Sequence, residues 1–391
     1  MPDNMKVLRL IGSLDPSHGG PPVSAVNSCI AAQRAGAETT IAFAAVAGTA
    51  DPPAIARLHG AGVRTARFSY CRAGGGRGVS WGVSAGLLGC LRRGLREFDV
   101  VQCHGAWQMS AAGALALGGA RGARRVLVPH ESLTDHDVGG ASRRSLGLMK
   151  ERLRERLLTR FDRIVFSSAI EARDSIPAAL AGRVRSEIVP HPVFDERGEA
   201  APPQTPAPRH GDGLRVGFLG RLHRKKNAAL LIEALARAPE GVTLRIAGDG
   251  PEMAELRAQA AALGVGDRID WLGFVGEAAK REFLGSIDAL ALVSDYECFG
   301  MAIAEAMVAG VPVVVSAETG LTPLVRDAGA GLVVDRDAGA VAAAFQRLAA
   351  DEEIRRTMAA RAAAAARAHL SFAAHGAAMM ACYEALMGEG R

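Results

Sequence analysis

The sequence predicts an α/β protein with two doubly wound parallel-sheet domains facing each other across a cleft. Three observations lead there. Short apolar runs alternate with helical segments along the whole chain, the pattern of repeated βα units. That rhythm stops once, near the middle, in a polar stretch carrying Pro202, Pro203, Pro206 and Pro208. The chain also has 391 residues, more than one core normally serves, so two domains of roughly 150–200 residues are expected.

Taken in order, the first half offers strands at 7–11, 39–44, 63–68, 100–103, 125–128, 163–167 and 187–189. Helices separate them, the first running over 23–34 and ended by Gly36 at the C′ position. The proline-rich stretch at 196–213 reads as a linker. Strands resume at 214–219, 242–247, 269–271, 289–293, 313–316 and 331–333, again with helices between, and an Ala-rich helical tail covers 338–387. The expected division is a domain at 1–195, the linker at 196–213, a second domain at 214–370 and a last helix at 371–391. Ligands of such sheets sit at the carboxyl ends of the strands.

Composition narrows the class. Apolar residues make up 49% and charged residues 22% of the chain, ordinary for a soluble globular protein. Six cysteines, at 29, 71, 90, 103, 298 and 382, form no CxxC pair. That argues against a disulfide framework or structural zinc and for a reducing cytosol. No apolar run is long enough for a bilayer, and Met1-Pro-Asp-Asn-Met-Lys leads straight into a strand without a signal peptide, so a cytoplasmic protein is expected. A net charge of +5 is too small to argue for nucleic acid, and suits an anionic substrate or a membrane face.

The stretch Val293-Ser-Asp-Tyr-Glu-Cys-Phe-Gly-Met-Ala-Ile-Ala-Glu-Ala-Met-Val-Ala-Gly-Val-Pro-Val-Val-Val315 concentrates the chemistry. A strand end, a short loop and a helix from about 300 to 309 bring free N–H groups and a positive dipole end to one place, an anion site. Gly300 lets a bulky anion approach the amides at Phe299, Gly300 and Met301. Glu297 precedes the helix and Glu305 lies roughly 7–8 Å beyond Gly300 along it. Carboxylates accept hydrogen bonds from sugar hydroxyls, so the series suits sugar, diphosphate and second sugar in a row. A glutamate capping one helix and another on its exposed face would give the same spacing; the longer context separates the two. Glu297 with Phe299-Gly300 behind it, then Glu305-Ala-Met-Val-Ala-Gly-Val-Pro-Val-Val314, resembles the Glu-x7-Glu signature of retaining family 4 glycosyltransferases.

That resemblance implies the GT-B fold, with an acceptor-binding N-terminal domain and a C-terminal domain for a UDP- or GDP-sugar. It implies transfer of a hexosyl unit, with retention and without a metal, to a hydroxyl of a glycan or lipid-linked saccharide in cell-surface polysaccharide or glycoconjugate synthesis. The segment Gly220-Arg-Leu-His-Arg-Lys-Lys-Asn227 resembles the family element that holds the donor diphosphate, which assigns Arg221 and Lys226 as cations; Asn227 stands where the family has Gly, and Asn also adopts turn conformations. Glu297 is assigned to the transferred sugar and Glu305 to the ribose. The turn at 247–252 and Leu272-Gly-Phe-Val275 resemble elements near the donor, Val275 against the nucleobase. Gly19 and Gly20, in the loop after the first strand, resemble a Gly-Gly loop facing the diphosphate. His130, at a strand end, matches a residue that contacts the transferred sugar, and His104 matches the acceptor region. The last helix, from Ser371-Phe to Tyr383, resembles one that crosses back onto the first domain.

Other features carry open alternatives. Asp135 and Asp137 form a DxD triplet; it reads as an acceptor-side loop with no metal, and Asp335-Arg-Asp337 is a second such triplet. Segment 142–160, with Arg143, Arg144, Lys150, Arg152, Arg154, Arg156 and Arg160 backed by leucines, is either a solvated surface or a contact for anionic membrane. No nucleic-acid partner is expected, and the chain is read as a monomer or weak homodimer. A small-molecule acceptor of the natural-product type and a non-catalytic nucleotide-sugar-binding subunit are the alternatives. A dinucleotide-dependent dehydrogenase would need GxGxxG with an acidic residue about twenty positions on, and neither half supplies it.

Overall fold

A computed structural model of the protein describes residues 5–15, 20–46, 48, 50–70, 85–117, 122–139, 144–195 and 213–389. Gly19, Cys71, Ser142, Arg143 and the 196–212 part of the expected linker lie outside them. The chain forms two compact units: Met1–Pro192 with Phe372–Arg391, and Val193–Ser371.

The first unit holds β1 (Lys6–Ile11), β2 (Glu38–Val46), β3 (Arg64–Tyr70), β4 (Val100–His104), β5 (Arg124–Val128), β6 (Arg163–Phe166) and β7 (Ser186–Ile188). Its helices are α1 (Gly20–Arg34), α2 (Ala54–Gly60), α3 (Ala85–Glu97), α4 (Met109–Leu117), α5 (Asp135–Gly139), α6 (Arg144–Arg160) and α7 (Ala169–Ser175). The second unit holds β8 (Leu214–Leu219), β9 (Val242–Ala247), β10 (Ile269–Gly273), β11 (Ala289–Leu292), β12 (Val313–Ser316) and β13 (Gly331–Val334). Its helices are α8 (Ala228–Arg237), α9 (Met253–Ala262), α10 (Glu277–Gly285), α11 (Met301–Val308), α12 (Thr322–Ala328), α13 (Ala338–Ala350) and α14 (Glu352–His369). The last helix, α15 (Phe372–Gly388), belongs to the first unit.

Both sheets are parallel throughout. The first has the order β3-β2-β1-β4-β5-β6-β7 and the second β10-β9-β8-β11-β12-β13. Helices cover both faces, which is why β4, β6, β11 and β12 are buried at every residue. Strand order reverses between β1 and β4 in one sheet and between β8 and β11 in the other, and a reversal of this kind opens a crevice at the carboxyl ends. Every strand expected from the alternation is present, with ends moved by two residues at most.

The Ala-rich tail is cut into three helices. Asp351 takes extended backbone and its side chain accepts the Ile354 N–H at 2.9 Å, so it stops α13 and caps α14. Ser371 bridges Phe194 in extended form, while Leu370 O accepts N–H groups from Val193 and Phe194, and this ends α14. Along α15 the residues Phe372, His375, Gly376, Met379, Cys382, Tyr383 and Leu386 are buried. Their spacing of three and four makes one stripe, which lies with Val7, Val100, Val126 and Val165 in a core beside the first sheet. Asp337 of the second DxD triplet caps α13, accepting from the Gly339 and Ala340 N–H groups. Leu386, fully buried, is the outermost anchor of the α15 stripe. Leu386→Ala is expected to lower the stability of the first unit by about 2–5 kcal/mol, read as a shifted denaturant midpoint at unchanged slope.

Candidate active site

In the second unit the switch point carries the residues of interest. The β8 loop passes through Arg221 and a single 3₁₀ turn, Arg224–Lys226, before Asn227 starts α8 from a left-handed conformation, φ 56° and ψ 38°. That conformation suits Asn far better than a branched residue. The loop lies directly on the neighbouring turn: the Leu222 N–H donates to Asp249 O at 2.9 Å. Gly248 and Gly250 permit this, because a Cβ there would meet Gly220 O at 1.9 Å and Leu222 O at 2.1 Å. On the other side of β8, Asp295 N–H donates to Lys225 O at 2.8 Å, joining the turn to the loop after β11.

That loop presents Glu297. Its backbone is fixed from both directions, the N–H donating to Glu318 O at 3.0 Å and the carbonyl accepting from Gly320 N–H at 2.8 Å. Its carboxylate pairs with the Lys226 ammonium, both side chains mostly buried. Phe299 is buried, and Gly300 (φ 95°) turns the chain into α11, whose acidic residue, Glu305, pairs with Lys280 of α10 at 2.7 Å. Met301, half-buried, opens the helix. Arg221 is exposed at the rim of the β8 loop. Val275 packs partly buried against the core after β10, beside the exposed Phe274. The second unit thus gathers Lys226, Glu297, Gly300 and Lys280–Glu305 around one helix start.

In the first unit, Gly20 begins α1, and the loop before it is tied to the far side of the switch point: Gly12 N–H donates to Gln108 Oε1 at 2.6 Å. His104 ends β4, His130 follows β5, and a third histidine, His191, completes a ladder. Ring centroids are 5.2 Å apart between His104 and His130 and 5.3 Å between His130 and His191. His104 Nδ1 and His130 Nε2 share a hydrogen bond at 2.9 Å. His130 and Glu131 both take positive φ, 51° and 71°, an uncommon strain for two residues in a row. Glu171 holds them there. This buried carboxylate accepts the Glu131 N–H, the Ser167 N–H and the Ser167 hydroxyl, each at 2.7 Å. Burial raises its pKa, and those hydrogen bonds oppose the rise.

Burial drives the histidine pKa values down: His104 and His130 fall well below 6.5, each pushed further by neighbouring histidines. His191 falls to about 4 and His375 of α15 to about 3, burial being the largest cause in both. The ladder is therefore neutral at physiological pH.

The DxD carboxylates are spent on fastening α5 to α6. Asp135 pairs with Arg154 at 2.6 Å, and Asp137 with Lys150 at 2.9 Å while accepting the Trp107 indole N–H at 2.6 Å. Lys150 and Arg154 consequently turn inward, so among the described side chains the basic face expected over 142–160 keeps Arg152, Arg156 and Arg160, beside exposed Leu148 and Met149. Lys280, His191, Glu171 and Gln108 escaped the sequence reading. Each acts on a residue far along the chain, and none sits in a local pattern that marks it.

The two doubly wound sheets, each with polar residues gathered at its switch point, define a protein built from two Rossmann-like units. Residues 206–365 match the family described as Glycosyl transferases group 1, and 19–192 match the Glycosyl transferase 4-like domain. The chain belongs to this glycosyltransferase family, of the group 1, family 4 type with the GT-B fold. Over 151 residues it is 36% identical to the lipopolysaccharide core biosynthesis glycosyltransferase LpsE of Rhizobium meliloti, covering 38% of this chain and 44% of that protein. Over 256 residues it is 29% identical to the 2-deoxystreptamine glucosyltransferase of Streptomyces kanamyceticus, covering 61% and 64%. The matched stretch thus spans only about half to two thirds of these curated relatives. The fold is similar to that of HepE from Anabaena, solved in complex with UDP, with a TM-score of 0.75 at 20% identity over 97% of this chain and 100% of that one.

Two predictions follow from this geometry. At Gly300 a Cβ would stand 3.0 Å from Ile303 Cδ1 and 3.2 Å from Thr319 Cγ2 in a backbone region that side chains avoid. Gly300→Ala is expected to cost about 1–3 kcal/mol and to displace the helix start, read by denaturation and by weakened ligand binding. The buried histidines set a pH dependence. Below 6.5 the unfolded chain takes up protons that the native ladder refuses until about pH 4 to 3. Stability is then fully present above pH 6.5 and falls as the pH drops through that window, by up to about 1.4 kcal/mol per pH unit for each histidine. Denaturation midpoints between pH 7.5 and 5 measure it, and His375→Gln should flatten the slope.

Proposed function

We propose that the chain is a retaining, metal-independent glycosyltransferase that moves a hexosyl unit from a nucleotide-sugar to a hydroxyl of a glycan or lipid-linked saccharide. The observation that carries this is the cluster at the second switch point: two carboxylates, each held by a lysine, on either side of a glycine-opened helix start. Breaking a sugar–diphosphate bond loads negative charge on the leaving group. Arg221, Lys226 and the amides at Phe299, Gly300 and Met301 are the donors for that charge. Glu297 then accepts from sugar hydroxyls and Glu305 from the ribose, with Val275 beside the base. On the acceptor side, His130 addresses the transferred sugar and Gly20 and its loop the diphosphate, while His104, buried with both ring nitrogens bonded, sits behind His130. The acceptor hydroxyl's proton leaves with the diphosphate oxygen.

Similarity to a lipopolysaccharide core enzyme supports a saccharide acceptor, and the UDP complex of HepE supports a uridine nucleotide. Similarity to the 2-deoxystreptamine glucosyltransferase favours a second reading, a small polyol acceptor. Leu148 and Met149, exposed beside Arg152, Arg156 and Arg160, support contact with an anionic lipid surface. Among the described residues no helix is long and apolar enough to cross a membrane.

Calorimetric titration with UDP- and GDP-sugars, with and without EDTA, tests the donor site. Binding is expected to be indifferent to EDTA and to be lost in Arg221→Ala and Lys226→Ala, with turnover down roughly 10²–10³-fold. Unchanged affinity in both variants would refute the assignment.

A further inference from the structure

His130 is joined to a buried polar chain that runs the depth of the first unit. Arg9 of β1 is fully buried and donates to the Ser28 hydroxyl at 2.6 Å and to the Tyr383 hydroxyl at 3.0 Å. Tyr383, on α15, donates to Gln102 Oε1 of β4 at 2.6 Å. Gln102 Nε2 meets His104 Nε2 at 3.1 Å, and His104 Nδ1 meets His130 Nε2 at 2.9 Å. Arg9, Gln102 and Tyr383 are wholly shielded from solvent and His104 almost wholly.

Proton positions along this chain follow from which groups can only donate. A guanidinium has no acceptor, so the Tyr383 oxygen must accept from Arg9 and spend its own proton on Gln102. With its carbonyl oxygen taken, Gln102 turns its NH₂ toward His104. His104 Nε2 then accepts, which puts the ring's proton on Nδ1. That proton is donated to His130 Nε2, leaving the His130 proton on Nδ1 as well.

We infer that Arg9, Tyr383, Gln102 and His104 act as positioning residues, a one-way hydrogen-bond relay that fixes His130 as the neutral Nδ1–H tautomer. His130 therefore offers its ligand a hydrogen-bond donor, and the partner is an acceptor oxygen, as a sugar hydroxyl provides. The inference deepens the proposed function and rests on the sugar-side role given there to His130. Burial supports the proton placement independently: it pushes the Tyr383 phenol far up, which keeps it a donor, and holds both imidazoles neutral. The relay also gives α15 a task at the site, since Tyr383 sits 374 positions along the chain from Arg9 and supplies the link between the arginine and β4.

The test is long-range ¹H–¹⁵N correlation NMR on the full chain labelled at its histidine ring nitrogens, with His104 and His130 assigned by substitution. Both rings are expected to show a protonated Nδ1 and a bare Nε2 from pH 5.5 to 8. Gln102→Glu replaces the NH₂ donor by an acceptor, so both rings should invert to Nε2–H, and kcat should fall on the order of 10²-fold with little change in donor KM. Tyr383→Phe frees the Gln102 amide to flip and should give a second set of ring shifts; it decides the matter should Gln102→Glu fail to fold. A wild-type His130 protonated on Nε2, or a tautomer unmoved in the variants that fold, overturns the relay. His130→Ala separates the two ideas: unchanged turnover there refutes the sugar-side role and leaves the NMR result to stand alone.

Discussion

The constraint on which the rest depends is the reversal of strand order in each sheet. Parallel strands need crossover helices, so every loop that follows a strand emerges on the same edge. Where the winding direction changes, two such loops part and no helix fills the gap between them. In the second unit those loops are the ones after β8 and β11, and residues about 70 positions apart in the chain, Lys226 and Glu297, become ion-pair partners. In the first unit they are the loops after β1 and β4, tied by Gln108 to Gly12 and bringing His104 to the same edge. The polar residues named for both units gather there, at the carboxyl ends of the strands on either side of the reversal.

The two units satisfy those groups by different means. The first relies on buried hydrogen bonds: four histidines kept uncharged by burial, a glutamate satisfied by backbone and hydroxyl donors, and an arginine that donates to two hydroxyl oxygens. The second relies on opposite charges. A buried hydrogen-bond network holds its geometry only while each donor faces an acceptor, so its members are mutually determined. That is the reason strain at His130 and Glu131 persists, with Glu171 accepting the N–H that the unusual backbone directs at it.

Most of the fold was legible in the sequence because thirteen short strand-like runs, several of them unbroken and apolar like Ala289–Leu292, stood between helical segments. Asn227 was legible as a turn residue, and Glu297 and Glu305 stood out through their context. What could not be read was pairing at a distance. Nothing local distinguishes Lys280 from any solvated lysine of an amphipathic helix until α10 is placed beside α11. Lys150 and Arg154 look like members of a basic face until the DxD carboxylates claim them. Asp351 was hidden in an Ala-rich run, although a single aspartate with extended backbone suffices to divide it.

The lysine–glutamate pairs bear directly on how a charged ligand is accommodated. A largely buried carboxylate without a partner is costly, and each of these glutamates is held by a lysine. A sugar diphosphate carries both halves of a replacement set. Under the proposed function its phosphate oxygens would accept from Lys226, and its hydroxyls would donate to the Glu297 carboxylate. In that proposal binding exchanges partners and leaves neither charge stranded, whereas a ligand with only the anion would take the lysine and orphan Glu297. The proposed preference for a molecule that is both sugar and diphosphate rests on that coupling, alongside the base contact assigned to Val275.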